Sequence, residues 1–84
     1  MQVSQAIKEA SQKIVGLKQT VRAIQQEKIK EVFIASDAED HVVRKITDSC
    51  REKGIPLIPA NLSQKEIGRL CKIEVGAAIV GILK

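Results

Sequence analysis

The chain has no tryptophan, no tyrosine and one phenylalanine in 84 residues. That argues against RNA readers that stack bases on aromatic platforms, such as RRM and cold-shock domains. Any RNA contact would have to use shape, phosphates and base edges. Cysteine is equally scarce: Cys50 and Cys71 lie far apart and form no CxxC pair. Each falls on the apolar stripe of a predicted helix, which reads as a small buried thiol in a reducing compartment rather than a disulfide or zinc ligand. The single histidine, His41, sits beside Asp40 in the first turn of a predicted helix, a solvated position. Walker, GxGxxG and GxSxG motifs are missing. The acidic group Asp37-Ala-Glu-Asp40 is explained by helix capping without invoking magnesium. No apolar run reaches the ~20 residues of a membrane span, and MQVSQAIKEA alternates charge with apolar residues, unlike a signal peptide. These absences predict a cytoplasmic protein with no catalytic residues, no metal site and no cofactor.

What is present suits one folded domain over residues 1–84. Hydrophobic residues at 44% and charged residues at 29% separate the chain from disordered sequences, and its length leaves no room for a second core. Lysine and arginine number 14 against 10 acidic residues, a formal +4 that is compatible with an anionic partner without requiring one.

Apolar spacing predicts alternating helices and strands. Val3, Ala6, Ile7, Ala10 and Ile14 recur at helical intervals, giving a helix over about 4–13 with Ser4 as its cap. Ile14-Val15 makes a short strand, and Lys18 to about Glu27 a second helix. Glu31–Ser36 reads as a buried strand. Asp37 is the expected cap of a third helix that carries Val42, Val43, Ile46 and Cys50 and ends at Lys53-Gly54. Residues 55–59 hold two prolines, so they form an edge strand or a strand-like connector. Ser63 to Glu66 fits a capping box for a fourth helix, and Val75–Leu83 is apolar enough for a buried central strand. The order predicts an α/β fold: a three-layer α/β/α sandwich on a small mixed four-stranded sheet.

One junction carries chemistry. In IVGLKQTVRA, residues 14–23, Gly16 permits close approach and unusual φ, and the following helix start offers unpaired amides to a phosphate. Lys18 and Arg22 share a helix face. Both can donate to guanine O6 and N7, and Gln19 carries a donor and an acceptor for a base edge. Lys8, Lys13, Lys28, Lys30, Lys45 and Arg51 read as general solvated charge.

That stretch resembles the second-helix signature of the kink-turn-binding ribosomal proteins of the L-seven-Ae and L-thirty-e type. VFIASDAED (32–40) and IGRLCKIEVGAAIVGI (67–82) continue the resemblance in the same order, over nearly the whole chain. It implies a monomeric RNA-binding protein, ribosome-associated or part of another ribonucleoprotein, that stabilises kink-turns in ribosomal or regulatory RNA. It also implies an RNA surface made of Gly16, Leu17, Lys18, Gln19, Thr20 and Arg22 with Lys72, Ile73, Glu74, Val75 and Gly76. Lys18 and Gln19 would address the guanines of sheared G·A pairs, and Arg22 the same edges or a phosphate. Ile73 to Gly76 would lie against the extruded nucleotide. Lys72 departs from the pattern, standing where a glycine is expected. Two rival readings are a protein-interaction or regulatory module on the same fold and, more weakly, an enzyme for a phosphorylated metabolite.

Overall fold

Val32, Phe33, Ile34 and Ala35 are all buried, yet successive residues join different apolar clusters. Side chains alternate across a strand, so this one is covered on both faces. The computed structural model describes Ile7 and residues 12–84. Its elements are β1 (Lys13–Val15), α1 (Leu17–Gln25), β2 (Ile29–Ile34), α2 (Asp40–Lys53), β3 (Leu57–Pro59), α3 (Gln64–Leu70) and β4 (Ile79–Leu83). The helix expected over 4–13 lies outside the described residues but for Ile7, which is fully buried, and Gln12 and Lys13, of which Gln12 lies in a bend and Lys13 belongs to β1.

The sheet runs β1-β4-β2-β3. β4 is antiparallel to both its neighbours, and β2 and β3 are parallel. The proline-bearing β3 is at an edge and the apolar β4 is interior, as their compositions require. On one face, Val21, Ala23 and Ile24 of α1 and Ile46 and Cys50 of α2 pack on Val32, Ile34 and Ile79. On the other, Ile67 of α3 packs with Phe33, Val80, Ile82 and Ile7. The architecture is the α/β/α sandwich. Among the described residues, no helix is long and apolar enough to cross a membrane.

Several boundaries differ from the sequence expectation: β2 runs Ile29–Ile34 rather than 31–36, and β3 Leu57–Pro59 rather than 55–59. β4 begins at Ile79, and Val75–Ala78 form a loop in which Val75 is 71% exposed; apolar composition alone did not mark where pairing stops. α1 ends at Gln25, because Glu27 turns into the left-handed region at φ 59°. Most informative is Asp37. The chain turns at Ser36-Asp37, and the N-cap of α2 is the extended Glu39 (φ −68°, ψ 152°). That displaces the Asp37 carboxylate from α2, and it accepts instead from the Gln64 amide at 2.8 Å. It thus caps α3, the fourth helix of the sequence expectation, from 27 residues away.

Candidate nucleic-acid interface

Strand register places the site. Val15 pairs with Val80, and Ile34 with both Ile79 and Pro59. The exits of β1, β2 and β3 and the entry of β4 therefore share one end of the sheet. The segments at that rim are the start of α1, the 35–39 turn, the 60–63 connection and the 71–78 loop.

Gly16 N-caps α1 at φ 108°, ψ 151°, a conformation that favours glycine. Its amide donates to the Ile79 carbonyl at 2.9 Å, which binds the start of α1 directly to the exit of the 71–78 loop. Among the described residues no side chain caps α1, and its first turn holds no acidic residue. The positive end of the helix dipole is thus left uncompensated. Lys18, Gln19 and Arg22 are exposed, while Gly16 and Leu17 are half-buried. Among the described residues, no carboxylate lies within ion-pair distance of Lys18, Arg22 or Lys72. Thr20 does not belong with them. It is fully buried against Gly81 of β4, and its hydroxyl has no hydrogen-bond partner among the described residues. In α1 it falls on the inward face with Val21, Ala23 and Ile24, so it serves packing rather than contact.

The second half is a loop folded back along α3. Lys72 takes the left-handed conformation at φ 60°. Its amide donates to Arg69 O at 3.1 Å and that of Ile73 to Gly68 O at 3.0 Å, a Schellman ending. Lys72 therefore adopts the geometry of the glycine expected there. The Val75 carbonyl then rests on Gly68, where a β-carbon would overlap it. At Gly76, a β-carbon would come within 3.1 Å of Gln64 Cβ, and the Ala77 amide donates to Gln64 O at 2.9 Å. Held at both ends, the loop turns Lys72, Glu74 and Val75 outward, with Ile73 at 36% exposure.

The structure adds Lys45 to the rim. Together with Leu17, Lys18 and Val21 it lines a mainly apolar depression of about 340 Å³ between α1 and α2. Sequence reasoning had set Lys45 aside as general charge, because the packing of the two helices has no local signature. Elsewhere, His41 Nδ1 lies 3.4 Å from Glu39 Oε2 in the open. Both cysteines are free thiols. Burial pushes each thiol's pKa up, opposed at Cys71 by the Lys13 ammonium.

Comparison with known proteins gives the chain's family and fold. The model of the "Ribosomal protein L7Ae/L30e/S12e/Gadd45 family" matches residues 1–84. A protein of Caldanaerobacter subterraneus subsp. tengcongensis named an RNA-binding protein is 50% identical over 66 residues, 79% of each chain. One of Halalkalibacterium halodurans with the same designation is 42% identical over 78 residues, 93% of this chain and 94% of that one. The solved structure of a Giardia lamblia 15.5kD RNA binding protein superposes with a TM-score of 0.80 at 21% identity, covering 98% of this chain and 68% of that one. This likeness shows the fold, and the sequence match shows the kinship: the chain belongs to the family of ribosomal protein L-seven-Ae and its relatives.

Proposed function

We propose that this protein is a non-catalytic RNA-binding protein that captures kink-turns and holds them bent, within the ribosome or another ribonucleoprotein of the cytoplasm. One observation carries the reading. An uncapped helix start bearing exposed Lys18, Gln19 and Arg22 is hydrogen-bonded through Gly16 to the exit of a constrained loop bearing exposed Ile73 and Val75. The relatives named as RNA-binding proteins support it.

The two halves do different work. Lys18, Arg22 and the α1 amides attract phosphate, and Arg22 can hold guanine O6 and N7 bidentately. Gln19 supplies directional donors and an acceptor. An unstacked base has no aromatic platform here, so the apolar Ile73 and Val75 side chains cover it instead. RNA that interconverts between straight and kinked forms shifts toward the kinked one in proportion to the difference in affinity.

An electrophoretic shift with a kink-turn RNA tests this, against the same RNA with its sheared G·A pairs replaced by Watson–Crick pairs. Selective binding of the first is expected. Equal binding to both RNAs, or to neither, overturns the proposal.

A further inference from the structure

Gln64 is the meeting point of three segments that the sequence keeps apart. Its amide donates to Asp37 Oδ1 at 2.8 Å and its side-chain Nε2 to the Asp37 carbonyl at 3.0 Å. Its own carbonyl accepts from Ala77 at 2.9 Å, and its Cβ lies against Gly76. Nearby, Ser36 N–H donates to Leu62 O at 2.8 Å, and Ser63 and Glu66 complete a capping box. The 71–78 loop is therefore fastened to α3 along its length, and α3 is fastened to the rim of the sheet at Asp37.

From these contacts we infer that the Asp37–Gln64 pair positions the 72–76 loop relative to the start of α1 and so sets discrimination between kinked and straight RNA. The inference rests on the kink-turn reading and deepens it. Asp37 and Gln64 are positioning residues, acting through the loop.

Charge gives the argument a sign. Asp37 is an exposed acid at the rim proposed to bind a polyanion, so electrostatics alone predicts that removing it tightens RNA binding. Its geometry predicts the reverse. Without the carboxylate, the first amide of α3 loses its acceptor and only the Gln64 side chain on the residue-37 main-chain carbonyl still ties α3 to the turn, so the loop resting on Gln64 is held less firmly. An amide at position 37 separates the two effects, because Asn keeps an Oδ1 acceptor and removes the charge.

The test uses the full chain, the kink-turn RNA and its Watson–Crick control, with wild type, Asp37→Ala, Asp37→Asn and Gln64→Ala. Asp37→Ala is expected to lower the kink-to-control affinity ratio about tenfold, the scale of a lost hydrogen bond to a charged acceptor. The salt slope should stay unchanged, since no phosphate contact is removed. Asp37→Asn is expected to keep the ratio and raise both affinities. In the free protein, amide exchange at Ile73–Ala77 is expected to quicken in Asp37→Ala and Gln64→Ala but not in Asp37→Asn; should Asp37→Ala not fold, Gln64→Ala supplies both the exchange and the ratio. A wild type that discriminates, with Ala variants that keep its ratio or its loop protection, overturns the positioning role alone. A wild type that does not discriminate overturns the kink-turn reading as well.

Discussion

The carbonyl oxygen of Val75 rests directly on Gly68, with no room between them for a β-carbon. Gly→Ala in an open helix stabilises by about 1 kcal/mol. Here the methyl would meet backbone, and overpacking costs about 1–3 kcal/mol. Gly68→Ala is therefore expected to lower stability in urea denaturation and to weaken kink-turn binding, because the loop must lift. A stabilised variant with unchanged RNA binding would contradict the packing described.

Lys72 presents the opposite case. A left-handed conformation costs a non-glycine residue about 1–2 kcal/mol, and Lys72 holds φ 60°. Lys72→Gly is expected to stabilise the fold by about 1 kcal/mol. If its ammonium meets a phosphate, the same change lowers the salt slope of RNA binding by about 0.9. Denaturation and salt titration read the two effects separately.

Thr20 carries a buried hydroxyl without a partner among the described residues. Thr20→Val keeps the shape and removes the unsatisfied group, so a gain of about 1 kcal/mol is expected. RNA affinity should not change, since Thr20 is fully buried. A loss of affinity without a loss of stability would return Thr20 to the interface.

Three exposed positions sort the surface chemistry. Gln19→Ala is expected to lower kink selectivity, and Lys45→Ala to weaken binding to both RNAs alike. Lys53→Ala should do neither, because it closes a 14-residue helix that carries it about 20 Å from the rim. Equal behaviour of the three variants would show the site to be misplaced.

Burial holds the Cys50 thiol above its ordinary value of 9.0. Between the unfolded and folded pKa values the native state binds more protons than the unfolded state, so stability falls as pH rises. The contribution is complete below about pH 9 and is lost progressively above it. The alkaline decline in urea midpoint should be shallower in Cys50→Ala than in wild type.

The sequence was most legible where structure is local. The Ser63–Glu66 capping box is present with both its bonds, at 3.2 Å each, and the prolines did place β3 at an edge. The start of α1 was readable too, since Gly16 and its cationic neighbours are contiguous. Asp37 was misassigned because its partner is 27 residues away, and an acid two or three residues before an apolar stripe also suits a local cap. Thr20 was misassigned by contiguity: it sits between exposed Gln19 and buried Val21, and only the phase of the helix separates them. The nearness of Lys45 to Lys18 has no local signal, because only helix-to-helix packing brings it beside Leu17, Lys18 and Val21.

The strand order has a consequence in time. β4 is the last strand in chain order, yet it lies between β1 and β2, so among the described residues β1 has no neighbour in the sheet until β4 arrives. The bond from Gly16 to Ile79 closes only then. Both halves of the proposed RNA surface meet at that bond, and long-range pairing of this kind is the slow part of folding. An incomplete or half-folded chain would therefore offer RNA scattered positive charge and no shaped site, and kink selectivity would appear only with the finished sheet.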